Sequence, residues 1–328
     1  MRFGPVPLDQ AEGGVLAHSL PVAGGRLRKG KRLEAADLAA LAATGRVEVT
    51  VARLDPGDVG EDDAALALAR AVAGPGLELQ PVGTGRVNLL ATGPGLARID
   101  AARVDAFNAV DGAITLASVP RWQRMDPRGM VATVKIIAYA VPGAAIARAC
   151  DAGAGALALA APVIDTASLI QTDVGLGAHL EKGAEVTRAR LERLGARLIE
   201  ARTVPHRAEP LAEALAAAAG GIVLILTGSA TSDAQDVAPA ALRRAGGRLV
   251  HFGMPVDPGN LTFLGELGGR PVLGLPGSSR SPALSGSDWV LERLVCGVPV
   301  GPAEIMGMGV GGLLKEIPTR PRPRAQRG

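Results

Sequence analysis

Ile222-Val223-Leu224-Ile225-Leu226-Thr227-Gly228-Ser229-Ala230-Thr231-Ser232-Asp233 is the stretch on which the fold of this chain turns. Five apolar residues in a row, three of them β-branched, read as a strand covered on both faces, the mark of a parallel sheet. Small and hydroxyl-bearing residues follow without a break. In open α/β sheets ligands collect beyond the carboxyl ends of the strands. A loop of Thr227, Gly228, Ser229, Ala230, Thr231, Ser232 and Asp233 there lets backbone N–H groups and hydroxyls approach an anion closely. A plain strand-to-helix turn accounts for the same residues, and on this segment alone both readings stand.

Further along, Leu275-Pro276-Gly277-Ser278-Ser279-Arg280 follows a second strand pattern, Val272–Leu275. It adds two hydroxyls and a guanidinium, whose planar fork suits phosphate oxygens. Two such loops after two candidate parallel strands would converge on one edge of the sheet. Between them, Asp257-Pro258-Gly259-Asn260 reads as a turn. Asp233 and Asp236 are candidate Mg²⁺ ligands, since hard cations prefer carboxylate oxygen. Capping of the helix near Pro239 explains them equally.

The flanking periodicity supplies the rest of the sheet. Ser168–Thr172 is a short strand; Thr187, Leu191, Leu194 and Leu198 fall on one helical face; Leu211, Leu215 and Ala218 begin a helix that stops at Gly220-Gly221. Pro239–Ala245 is a short helix, Leu261–Leu267 and Val272–Leu275 flank Gly268-Gly269 as a hairpin, and Leu284, Leu291, Leu294 and Val295 mark a last helix. Alternating strand and helix predicts a three-layer α/β domain with a parallel, mixed-edge sheet. The N-terminal half reads as α+β, with helices over Glu34–Leu41 and Ala64–Val72. Its strands are expected over Val47–Val51, Val87–Ala91, Ile114–Ala117 and Met130–Ile137. The acidic run Asp58–Asp63 reads as a helix N-terminus. Asp151–Ala161 reads as a linker running into a strand, which divides the chain into 1–155, 156–318 and an Arg/Pro tail over 319–328.

A chain of 328 residues accommodates two domains, and with 2% aromatics its cores should be aliphatic. One Tyr, two Trp and four Phe are too few for the stacking platforms of nucleic-acid binding. The net charge of +3 owes much to Arg320, Arg322, Arg324 and Arg327 in the proline-rich tail, which is expected to stay solvated. No uncharged apolar run reaches the ~18 residues of a membrane span. The N-terminus lacks an apolar signal region, and Cys150 and Cys296 lie outside any CxxC spacing. A cytoplasmic protein is expected. His18, His179, His206 and His251 have no metal-ligand spacing and are expected to be structural or solvated. Gly307–Gly312 matches GxGxxG by letter without a following βαβ unit, and Arg32 stands where a P-loop starting at Gly25 needs Ser or Thr. No GxSxG occurs.

Set beside known families, Thr227-Gly228-Ser229 through Asp236, then Pro258-Gly259-Asn260, then Gly274-Leu275-Pro276-Gly277-Ser278 resemble the ordered motifs of the molybdopterin-binding domain. In its molybdotransferase and adenylyltransferase members these are a TGG-type loop ending in Asp, a PGK-type turn and a GLPGNP loop. Gly13–His18 and Lys29–Leu33 are similar to segments of molybdotransferase-like chains. Phe252–Asn260 and the segment from Ile305 to Pro318 resemble the molybdopterin-binding part of bacterial proteins often fused to a nucleotidyltransferase domain. Such a domain is not expected within this chain. The resemblance implies that the Thr227–Ser232 and Pro276–Ser279 loops hold the phosphate of a pterin, molybdopterin or molybdenum cofactor. It implies that Asp236 is the functional aspartate and that the chain forms a homo-oligomer, with other molybdenum-cofactor proteins as partners.

Departures from the pattern are specific. Ser229 replaces the second glycine of the first loop, Asn260 the lysine of the turn, and Ser279-Arg280 the Asn-Pro of the last loop; the family's Gly-Asp-Glu is reduced to Gln171-Thr172-Asp173-Val174-Gly175. Two functions follow: an enzyme that inserts molybdate, or a non-catalytic module that hands the cofactor to a partner. Catalysis needs groups placed within about half an ångström, so the ligand class is better specified than turnover.

Overall fold

The computed structural model describes residues 1–175 and 178–314, with Ala178 and His179 by backbone alone. The predicted tail at 319–328 lies outside the described residues. The chain divides into two compact units, 1–93 with 97–159, and 94–96 with 160–328.

The second unit contains, in chain order, β1 (Thr166–Asp173), α1 (Ala178–Glu192), β2 (Arg197–Pro205), α2 (Ala208–Ala216) and β3 (Ile222–Leu226). Then come α3 (Val237–Arg244), β4 (Arg248–Phe252), β5 (Phe263–Leu267), β6 (Arg270–Leu275) and α4 (Gly286–Val295). They build one six-stranded sheet in the order β2-β1-β3-β6-β5-β4. Strands β2, β1, β3 and β6 run parallel, while β5 is antiparallel to both β6 and β4. This is the α/β, mixed-edge sheet expected from the alternation of elements.

All five residues of β3 are buried because the strand is covered on both faces. Val223 and Ile225 point into a core shared with Leu211 and Leu215 of α2 and Ala238, Ala241 and Leu242 of α3. On the other face α1 crosses so closely that a Cβ on Gly183 would lie 2.5 Å from Gln171 Oε1 and 2.8 Å from Leu226 Cδ2.

Several sequence expectations are corrected. The helical face drawn through Leu198 ends early: α1 stops at Glu192, Gly195 turns the chain at φ 72°, and Leu198 belongs to β2. Edge strand β2 escaped notice because its alternation is half-solvated and largely polar. Strand β4 was also missed, having no apolar run. The hairpin between β5 and β6 forms as expected, but Leu261 lies before it. Leu284 is exposed and precedes α4, which a Ser285–Asp288 capping box starts.

The first unit is α+β. A four-stranded antiparallel sheet, in the order Ile114–Ser118, Met130–Ile136, Arg86–Ala91, Leu77–Pro81, shares an aliphatic core with helices Glu61–Val72 and Gly143–Gly153. A smaller sheet of Arg2–Pro7, Glu48–Arg53 and Val15–Leu16 packs with helix Ala35–Ala42 around Leu16, Leu33 and Leu41. The acidic run does start a helix, at Glu61. Over Asp151–Ala161 the expected strand forms as Leu157–Ala160, but the start of the segment is the end of helix Gly143–Gly153 where a linker was expected.

Candidate functional site

Strand register places the two loops side by side. Leu226 pairs with Gln171 on one flank and Leu275 on the other, so Thr227 and Pro276 leave adjacent parallel strands at one carboxyl edge. Asp173 ends β1 at that edge, opposite Pro205 of β2.

The first loop is fixed from below. The Gly228 N–H donates to Thr172 Oγ1 at 2.9 Å, and that hydroxyl lies 2.8 Å from His206 Nδ1. A Cβ on Gly228 would come within 2.6 Å of the Thr172 carbonyl oxygen, so the approach requires glycine. Thr227 Oγ1 donates to the Ser229 carbonyl at 2.6 Å and sits 3.2 Å from Thr231 Oγ1, both threonines being buried. Ser229, Ala230, Ser232 and Asp233 form the exposed rim. Asp236 caps α3: its Oδ1 accepts from Val237 N at 2.7 Å and its Oδ2 from Ser232 N at 3.0 Å. Asp233 Oδ1 accepts from Gln235 N at 2.7 Å. Both carboxylates organise backbone, Asp236 as the helix cap that the capping reading expected and Asp233 within the turn before it. Among the described residues no group of three or more His, Cys, Asp or Glu could hold a metal ion.

The second loop makes a short 3-10 turn over Gly277–Arg280. Gly277 is exposed and Ser278 half-buried, but Ser279 is fully buried, its Oγ 2.9 Å from Ser287 Oγ. Ser287 Oγ donates to Ser285 Oγ at 3.2 Å, and Ser285 Oγ donates to the Pro258 carbonyl at 3.2 Å. The Ser279 hydroxyl, expected to face a ligand, is part of this internal chain instead. Pro258 and Gly259 are buried behind the loop, and the Asn260 amide donates to the Met254 carbonyl at 3.3 Å within its own turn. Through the Pro258 carbonyl the 257–260 turn is tied to Ser285 behind the loop, while Asn260 itself is exposed.

One guanidinium clamps the loop from α1. Arg190 donates to the carbonyls of Ser279, Ser281 and Ala283 at 2.6, 2.7 and 3.2 Å and pairs with Asp288 at 2.5 Å. Burial pushes the Asp288 carboxyl above the usual aspartate range, against the pull of Arg190. A second guanidinium crosses between the loops: Arg280 Nη2 donates to the Thr227 carbonyl at 2.7 Å. Its Nε is buried with no partner, and burial alone pulls its pKa below the usual arginine value. A buried N–H donor without an acceptor is costly, and an oxyanion between the loops would satisfy it.

The fold thus brings Thr227–Ser232, Pro276–Ser278 and Arg280 to one edge, with Asp173 at the neighbouring strand end, its Oδ1 accepting from Gly175 N at 2.8 Å. Thr172, His206, Arg190 and the Ser285–Ser287–Asp288 group were not legible as parts of the site. Thr172 and His206 are 34 residues apart, Arg190 reaches partners 89 to 93 residues away, and the serine group carries no motif; the pairing of β1 with β2 puts His206 beside Thr172.

Residues 170–294 match the family model described as "Probable molybdopterin binding domain", and residues 5–53 match a domain of unknown function, DUF8806. No curated protein matches. Among solved structures, a molybdopterin biosynthesis MoeA protein from Pyrococcus horikosii is 14% identical, with a TM-score of 0.32 over 91% of this chain and 76% of that one. A CinA protein of unknown function from Thermoplasma acidophilum is 15% identical, with a TM-score of 0.31 over 36% of this chain and 90% of that one. Scores this low add nothing to the argument from the sheet and the family model. The segment 170–294, with its parallel sheet and paired loops, is thus similar to molybdopterin-binding domains.

Proposed function

We propose that this protein binds molybdopterin, or a metal-loaded or nucleotide-linked form of it, through its phosphate and handles it during molybdenum-cofactor biosynthesis. The observation that carries the reading is Arg280, a half-buried guanidinium with an unpartnered Nε–H, anchored by the Thr227 carbonyl between two hydroxyl-bearing loops. Phosphate oxygens would accept from Arg280 and from the N–H and O–H groups of Thr227–Ser232 and Pro276–Ser278, with Asp173 at the flank. Charge-assisted bonds of this kind are about twice as strong as neutral ones.

The test is the fluorescence and mass spectrum of oxidised pterin released from purified protein. Near-stoichiometric pterin is the expected result, and Arg280→Ala should lower retention by about tenfold or more, the loss of one charge-assisted contact. No released pterin and no binding on titration would end the reading.

Handling without turnover is favoured over molybdate insertion by Asp236, both of whose oxygens serve backbone N–H groups. Asp236→Asn keeps a good cap and removes the charge. Unchanged molybdenum loading in that variant supports a carrier that passes the cofactor to a partner protein. Loss of loading with pterin affinity intact establishes an enzyme.

A further inference from the structure

We infer a second anion site, for a phosphate or short polyphosphate group, in the N-terminal unit and independent of the pterin reading. A half-open cavity of about 480 Å³ there is lined by Arg98, Arg103, Arg121, Trp122, Asp100 and Gly155, with Ile99, Ala101, Ala102 and Ala156 completing it. That volume lies in the range of small-molecule sites, roughly 300–1,000 Å³.

Its charge is uneven in a way folding does not require. Three guanidiniums meet one carboxylate, and that carboxylate is already engaged: Asp100 Oδ1 caps the helix Ala101–Asn108 by accepting from Arg103 N, and its Oδ2 lies 3.5 Å from Arg103 Nε. Arg103 also donates to the Ala154 carbonyl, which holds it at the cavity wall. Among the described residues neither Arg98 nor Arg121 pairs with a carboxylate. Arg121 instead rests over the Trp122 ring, 5.0 Å from its centroid. Stacking of this kind orients a guanidinium without using its N–H donors, leaving them for an oxyanion.

The backbone that presents this pair is strained. Trp122 has φ 64°, a left-handed conformation that an aromatic residue rarely adopts. It is pinned there by Trp122 N donating to the Ala97 carbonyl at 2.8 Å. Strain held by the surrounding structure clusters at ligand-binding positions. Gly155, at φ 63°, has open space where a Cβ would stand and adds no side chain to the cavity.

Trp122 reports on its own site once the other tryptophan is replaced. In the full chain carrying Trp289→Phe, inorganic pyrophosphate and ADP should each change Trp122 fluorescence saturably, whereas adenosine should not. Tighter binding of ADP than of pyrophosphate identifies a nucleotide tail as the source of the phosphate; equal binding identifies the free anion. Arg98→Ala with Arg121→Ala should weaken both by about tenfold or more, while Arg26→Ala with Arg28→Ala, removing the same charge elsewhere in this unit, should not. Calorimetry of pyrophosphate on the Arg280→Ala chain reads the same binding without replacing tryptophan and with the other phosphate loop weakened. No saturable binding through the millimolar range, equal loss in the control pair, or a response to adenosine alone would overturn the inference.

Discussion

Arg190 and Asp288 show how much of a loop's geometry one ion pair can set. The guanidinium satisfies three carbonyls of residues 279–283 and one carboxylate, nearly out of water. Arg190→Ala would strand Asp288 without its counter-charge, and breaking a buried pair in this way costs roughly 3–5 kcal/mol; urea unfolding measures it. Arg190→Lys should recover little of this, since an ammonium cannot span three carbonyls and a carboxylate. The pH dependence has a definite sign. Burial raises the Asp288 carboxyl in the fold, so its contribution to stability is fully present below the unfolded aspartate pKa and is lost as pH rises through the folded value. Measured against Asp288→Asn, the wild type should lose stability as pH climbs from the ordinary aspartate range; a gain over that window would contradict the assignment. At Cys296, burial pushes the thiol up to about 12, so the native protein should resist alkylation there at pH 8, with mass spectrometry as the readout.

At the scale of elements, the first turn of α3 links the loop to the sheet. Asp236→Ala should cost about 1 kcal/mol through loss of the cap, and Asp236→Asn close to none, a difference that thermal melts resolve. The contact of α1 with β1 and β3 depends on Gly183, where a side chain meets Gln171 and Leu226. Gly183→Val should overpack this contact and cost roughly 1–3 kcal/mol. The elements most legible in sequence were those with one unbroken pattern: β3, whose apolar run has a single explanation, and Glu61–Val72 behind its acidic start. Strand β2 failed because Arg197, Glu200 and Arg202 give it a surface composition, and Leu198 happened to continue the spacing of the helix before it.

For the molecule as a whole, each unit carries its own aliphatic core. Ile225→Ala in one and Leu68→Ala in the other, both fully buried, should each cost roughly 2–5 kcal/mol in denaturant titrations. None of the helices among the described residues is long and apolar enough to cross a membrane.

What the sequence by itself determined was the parallel sheet and the two hydroxyl loops at its edge, because each is written in contiguous residues with a local physical cause: burial on both faces and small side chains. Which hydroxyls face outward was decided only by tertiary structure. Ser279 turns inward to Ser287, Asp236 turns to backbone N–H groups, and Arg280 reaches the Thr227 carbonyl 53 residues away. Side-chain direction at a loop depends on partners that strand pairing brings from elsewhere, and no local pattern carries that information.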